Sequence, residues 1–210
     1  MAKLKAPLLS LGASGAIAGT LVYFPWKGIN VVREYVVPSN PKTARQVTHR
    51  GYLTTMVAAI HTAQALAANA LDSDDQVALS ALAQAKGKIM TWFNQAVKLG
   101  VDCLVASEGY TVWRDGHMDD TDKDDFRPTI GLTDDGVTQI ANSKFYLGTS
   151  KTNLIHTEVA NQIVGGGANL TAGNGFSGLT AGVKYYWQIR PDSPDPCEGA
   201  DSGIYYAVAT

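Results

Sequence analysis

The chain has only two cysteines, Cys103 and Cys197. No CxxC pair and no Cys/His cluster occurs, which argues against a zinc site. Cysteines this far apart fit either one long-range disulfide in an oxidising setting or two separate thiols. Charge is also scarce: Asp, Glu, Lys and Arg make up 17% of the residues, against the usual quarter. No apolar run reaches the ~18 residues that suggest a membrane span, so no membrane partner is expected. Met1-Ala-Lys-Leu-Lys and the residues after it imitate a signal peptide, but Gly12, Ser14, Gly15 and Gly19 interrupt the apolar part. The stretch then runs into a strand pattern, so no leader is expected.

What is abundant is apolar side chain, at 45%, and glycine, with 21 residues. This is enough to bury a core and excludes intrinsic disorder. Little charge with much glycine fits a chain rich in β-turns, or one that hides part of its surface in an assembly. The length of 210 residues suggests one large or two small domains.

The charge is divided unevenly. Residues 1–70 carry seven Lys/Arg and one acid, Glu34, for a net +6; the whole-chain value of −2 leaves −8 on residues 71–210. Such asymmetry favours head-to-tail packing of neighbouring copies or contact with an acidic partner, beside the plain reading of two separately solvated regions.

Residues 1–18 read as an extended, glycine-rich arm. Thr20 to Phe24 and Ile29 to Val37 read as two strands of a hairpin, turning at Pro25-Trp26-Lys27-Gly28. Both faces of this hairpin are apolar in places, which predicts burial on two sides. Pro38-Ser39-Asn40-Pro41 ends the second strand, with Asn40 as N-cap of a helix over about Lys42 to Asn69. Ser73 with Gln76 forms a capping box for a second helix ending near Lys98 and Gly100. Tyr110 to Trp113 reads as a short strand and His117 to Asp125 as an exposed acidic loop. From Pro128 the period becomes two, with strands at Lys144–Gly148, Thr157–Ala160, Val183–Arg190 and Ile204–Val208. The expected fold is α+β: an N-terminal β-hairpin plus an antiparallel helix pair, then a C-terminal β-sandwich. The expected division is 1–18, 19–127 and 128–210.

Two stretches carry a resemblance. Phe24-Pro-Trp26-Lys-Gly28, Val32-Arg33-Glu-Tyr-Val36 and Pro38-Ser-Asn40-Pro41-Lys-Thr43-Ala-Arg-Gln46 follow a glycine-rich start. Over about residues 5–50 this resembles small structural proteins of tailed bacteriophages and prophages, which implies a virion component. Tyr146 to Leu154, Gly178-Leu-Thr-Ala-Gly-Val-Lys-Tyr-Tyr-Trp-Gln-Ile189 and Ser202-Gly-Ile-Tyr-Tyr206 resemble a fibronectin type III or Ig-like module over about residues 128–210. That resemblance speaks for fold more than for function.

No constellation for catalysis stands out. The glycines at 12, 15 and 19 lack the GK[ST] ending of a phosphate loop. Asp120, Asp122 and Asp124 have the first spacings of a calcium loop, but the sixth and twelfth positions are Asp125 and Gly131 rather than Gly and Glu. A solvated acidic loop is the preferred reading, with an unconventional calcium site as its alternative. His49, His61, His117 and His156 are dispersed, and no nucleophile elbow accompanies them. No cofactor, metal or reaction is therefore expected. Basic residues near the hairpin lack a groove-reading motif, so nucleic acid is not the expected partner.

The sequence thus points to an assembling virion protein, capsid-associated or decorating first and tail component next. Its partners would be copies of itself and other virion proteins. The expected contact residues are Tyr23, Trp26, Lys27, Arg33, Tyr35 and Arg45. The alternative is an adhesion module that holds a glycan or receptor through residues 128–210, with Tyr185, Tyr186, Trp187, Tyr205 and Tyr206 offering a stacking face, although alternation along the strands assigns half of them to the core instead.

Overall fold

A computed structural model describes residues 3–4, 13–17, 19–37, 39–40, 42–134, 143–162, 169–192 and 200–210. The chain forms two compact units, Met1–Thr43 and Ala44–Thr210. This boundary falls inside the 19–127 stretch expected to act together, and none falls at 127/128.

The first unit is an antiparallel meander of β1 (Lys3–Leu4), β2 (Ala13–Ile17), β3 (Leu21–Trp26) and β4 (Ile29–Glu34), in that spatial order. The β3–β4 turn has two residues, Lys27 at φ 49° and Gly28 at φ 81°. Two positive φ values are what a tight hairpin turn needs to match the strand twist. Lys42 is also left-handed, at φ 46°. No helix can pass through it, so the first helix begins at Ala44 instead of immediately after Asn40.

Among the described residues the second unit holds three helices where two were expected: α1 (Ala44–Gln64), α2 (Ser73–Ala85) and α3 (Trp92–Val105). The break between α2 and α3 comes from Gly87, at φ 67°. The Gly87 N–H donates to Gln84 O and the Lys88 N–H to Ala83 O, both at 2.9 Å. This left-handed closing pattern takes up the last helical carbonyls. Thr91 then caps α3 by accepting from the Asn94 N–H. Gly100 lies inside α3 rather than at its end, where a Cβ would meet the Met56 side chain of α1.

Seven antiparallel strands complete the unit: β5 (Thr111–Asp122), β6 (Asp125–Asp134), β7 (Lys144–Gly148), β8 (His156–Gln162), β9 (Asn169–Ala172), β10 (Lys184–Arg190) and β11 (Tyr205–Val208). Their order is β11-β10-β7-β8-β9-β6-β5. The two ends of this order approach each other, giving a nearly closed, barrel-like sheet. The expected acidic loop at His117–Asp125 is part of the long β5–β6 hairpin, which turns between Asp122 and Asp125. Its polar strands carry little apolar periodicity, and pairing with β6 is what orders them.

Alternation splits the core in two. On β5, Trp113 points into the sheet interior with Phe126, Phe145, Trp187 and Ile189, while Val112 faces the helices with Met56, Ile60 and Leu82. Helix α2 serves both sides: Ala78 joins the sheet interior and Leu79 the helical core. It packs on both edge strands, β5 and β11, and so closes the gap between them.

Asp75 holds this closure. It is fully buried. Its Oδ1 accepts from the Tyr205 hydroxyl at 2.7 Å and the Gly116 N–H at 3.0 Å. Its Oδ2 accepts from the Asp115 N–H at 2.8 Å and the Asp72 N–H at 3.1 Å. The two β5 amides are available because β5 bulges between Arg114 and His117, where it spans three steps against two on β6. The bond to Asp72 belongs to a capping box of Asp72 with Asp75, in place of the expected Ser73 with Gln76. Close approach is allowed by glycine: a Cβ on Gly116 would stand 2.4 Å from the Tyr205 ring.

Burial raises the Asp75 pKa above its ordinary 3.8, against the opposing pull of its hydrogen-bond donors. Above 3.8 the folded protein therefore retains a proton that the unfolded chain has released, and stability falls as pH rises through the window up to the raised value. Asp75→Ala is expected to cost about 3–5 kcal/mol, because it strands buried donors on three elements. Urea denaturation checks this. In the same experiment, the wild-type midpoint should decline relative to Asp75→Asn as pH is raised above 3.8.

Candidate functional site

In the first unit, the register pairs Leu21 with Glu34, Tyr23 with Val32, Phe24 with Val31 and Trp26 with Ile29. Alternation then puts Val22, Phe24, Trp26, Ile29 and Val31 on one face and Leu21, Tyr23 and Val32 on the other. Both faces are apolar, as the sequence suggests. Little of this is covered. Trp26 is 60% exposed and Ile29 68%, and Leu21, Val32, Tyr35, Val36 and Val37 are exposed as well. Tyr23, at 8%, is the buried apolar side chain of the unit among the described residues.

The six expected contact residues divide accordingly. Trp26 and Lys27 project at the hairpin tip, with Trp26 across from Ile29. Arg33 is exposed, and its guanidinium lies 5.3 Å from the Phe24 ring centroid. Tyr35 is exposed just beyond β4 and ties its N–H to Thr20 O at 2.7 Å. Tyr23 is spent on internal packing. Arg45 is exposed on the first turn of α1 and belongs to the second compact unit.

The second unit has a cavity of about 440 Å³ beside Asp75, in the range of pockets that hold small groups. Val77, Met118, Ile204, Tyr205 and Tyr206 supply much of its apolar lining, and Asp74 and His117 are among its polar residues. The His117 ring lies between two carboxylates, Asp115 at 3.5 Å and Asp119 at 3.4 Å. The sequence does not reveal this cavity, because α2 and the β5 bulge form it together. The one local sign is the polar run after Trp113, long for a connecting loop.

The expected stacking face is divided by strand alternation. Tyr185, Trp187 and Tyr205 point into the sheet interior, where Trp187 and Tyr205 stack at 4.4 Å. Tyr186 is half-buried and Tyr206 exposed. The Lys184 ammonium sits 3.5 Å from the Tyr206 ring centroid and 5.6 Å from that of Tyr186.

The acidic hairpin uses its carboxylates internally. Asp120 accepts from the Asp122 N–H at 2.9 Å and Asp122 from the Asp124 N–H at 2.8 Å. Asp125 pairs with Arg127, Asp119 accepts from the Thr129 hydroxyl, and Asp124 pairs with Lys123. Among the described residues no group of three His, Cys, Asp or Glu side chains is placed to hold a metal ion, and no helix is long and apolar enough to cross a membrane. Cys103 is buried against Ala200; Cys197 and residues 135–140, at the expected start of the sandwich, lie outside the described residues.

Comparison of the chain with protein-family models, with curated proteins and with solved structures finds no match.

Calorimetric titration of the full chain with calcium is expected to show no micromolar binding, since a cation would have to displace these internal hydrogen bonds.

Proposed function

We propose that this chain is a structural component of a tailed-phage virion, built into a repeating lattice through Met1–Thr43. A capsid-associated or decorating position comes first and a tail position next. One observation carries the reading: the first unit exposes seven large apolar side chains between Leu21 and Val37, while Tyr23 alone among its described apolar residues is buried. A small sheet with both apolar faces wet gains little from folding alone. Covering that surface with another molecule supplies the missing burial. β4 is an edge strand of the meander and is followed by the exposed Val36 and Val37, so strand addition offers a second mode of contact.

In this reading the barrel-like sheet of the second unit is a fibronectin-III or Ig-like module carried by the lattice. Tyr185 supports that likeness. It lies near the start of β10, and its hydroxyl accepts from the Thr180 N–H at 3.0 Å, five residues upstream. Such a tyrosine corner is a feature of these sandwiches.

Purified full-length chain is expected to form shells, tubes or rings by electron microscopy and light scattering. Trp26→Ala should remain folded and associate about 30-fold more weakly, the loss typical of a central aromatic contact. Unchanged assembly of this variant, or its unchanged incorporation into particles, would count against the lattice role.

A further inference from the structure

The exposed hairpin tip and the cavity beside Asp75 are opposite in shape and in charge. At the tip, Trp26 and Ile29 form an exposed cross-strand pair, with Lys27 beside them and Arg33 on the same strand as Ile29. The cavity has apolar walls from Val77, Met118 and Tyr206, and Asp74 stands at its edge. Asp115 and Asp119 flank its His117. The Lys184 ammonium is held over the Tyr206 and Tyr186 rings. The whole chain repeats the contrast: residues 1–43 carry five Lys/Arg and one Glu, whereas the remainder is net −6.

We propose that this cavity receives the Trp26–Lys27 turn of a second copy, the indole entering between Val77, Met118 and Tyr206 and the ammonium meeting Asp74. The inference rests on the lattice reading and names its contact. Tip and cavity are different surfaces, so the contact is head-to-tail. Each copy offers one of each, and repetition gives a ring or an open filament according to the rotation between copies. Opposed charges at the rim speed encounter and make association weaken as salt is raised.

The test uses full-length proteins followed by size-exclusion chromatography with light scattering. Val77 is exposed on α2, so Val77→Trp fills the cavity without entering the core; an unchanged circular-dichroism melt confirms folding. Alone, Val77→Trp and Trp26→Ala should each associate about 30-fold more weakly and stay monomeric at concentrations where the wild type assembles. Mixed in equal amounts, they should form a dimer and nothing larger, because one keeps an intact tip and the other an intact cavity. As a second pair, Asp74→Lys should weaken association and Asp74→Lys with Lys27→Asp should restore it.

Wild-type-like assembly of Val77→Trp, absence of the mixed dimer, or failure of the charge swap would overturn the cavity contact. If Trp26→Ala loses assembly while Val77→Trp does not, the apolar surface still drives association and the cavity is not its receptor. A wild-type chain that stays monomeric at high concentration removes both readings.

Discussion

The Asp75 carboxylate is the constraint on which the second unit depends. Its oxygens engage two backbone amides of β5, the hydroxyl of Tyr205 on β11 and the amide that begins α2. A seven-stranded sheet that almost closes leaves two edges, and unpaired edges invite other chains. Here a helix fills the gap, and a buried acid bonds it to both sides. The arrangement carries a desolvation cost, and the raised pKa of Asp75 is its signature.

Several local features become intelligible around that group. The β5 bulge frees two N–H groups from the ladder, and Asp75 takes them up. Asp115 sits at φ 52°, a conformation that an Asp tolerates better than most residues. Gly116 leaves room for the Tyr205 ring, which lies against Trp187 at the centre of the sheet interior. Gly203 performs the same service beside α2, where a Cβ would approach the Ala78 Cβ to 2.6 Å, and the Ile204 N–H donates to Ala78 O at 2.9 Å. The cavity beside Tyr205 lies at the same corner, between Asp74, Val77 and Ala78 of α2 and Gly116, His117 and Met118 of β5.

The two units differ in how they treat apolar surface. The second buries it twice, inside the sheet and between the sheet and helices. The first spreads it over a thin meander. That contrast gives the assembly proposal its physical basis: the favourable burial that a small sheet lacks by itself becomes available at an interface.

Local events were legible in the residue pattern. Two apolar stretches around Pro25-Trp26-Lys27-Gly28 located the hairpin, alternation located β7, β8, β10 and β11, and a capping pattern at Ser73 located the start of α2, although the box itself is Asp72 with Asp75. The exposed Trp26 was legible because a bulky aromatic at the tip of a hairpin has no further strand beyond it to cover it. The break at Gly87 carried a signal too, a glycine followed by Lys, overridden by the apolar residues that continue beyond it. That β5 is a long strand, that Asp75 is buried and that a cavity opens beside Tyr205 and Tyr206 all came from long-range contacts instead. These outcomes depend on residues separated by 40 to 130 positions. A charged or polar side chain reads as solvated until a distant backbone supplies its partners, and chain topology alone brings those partners together.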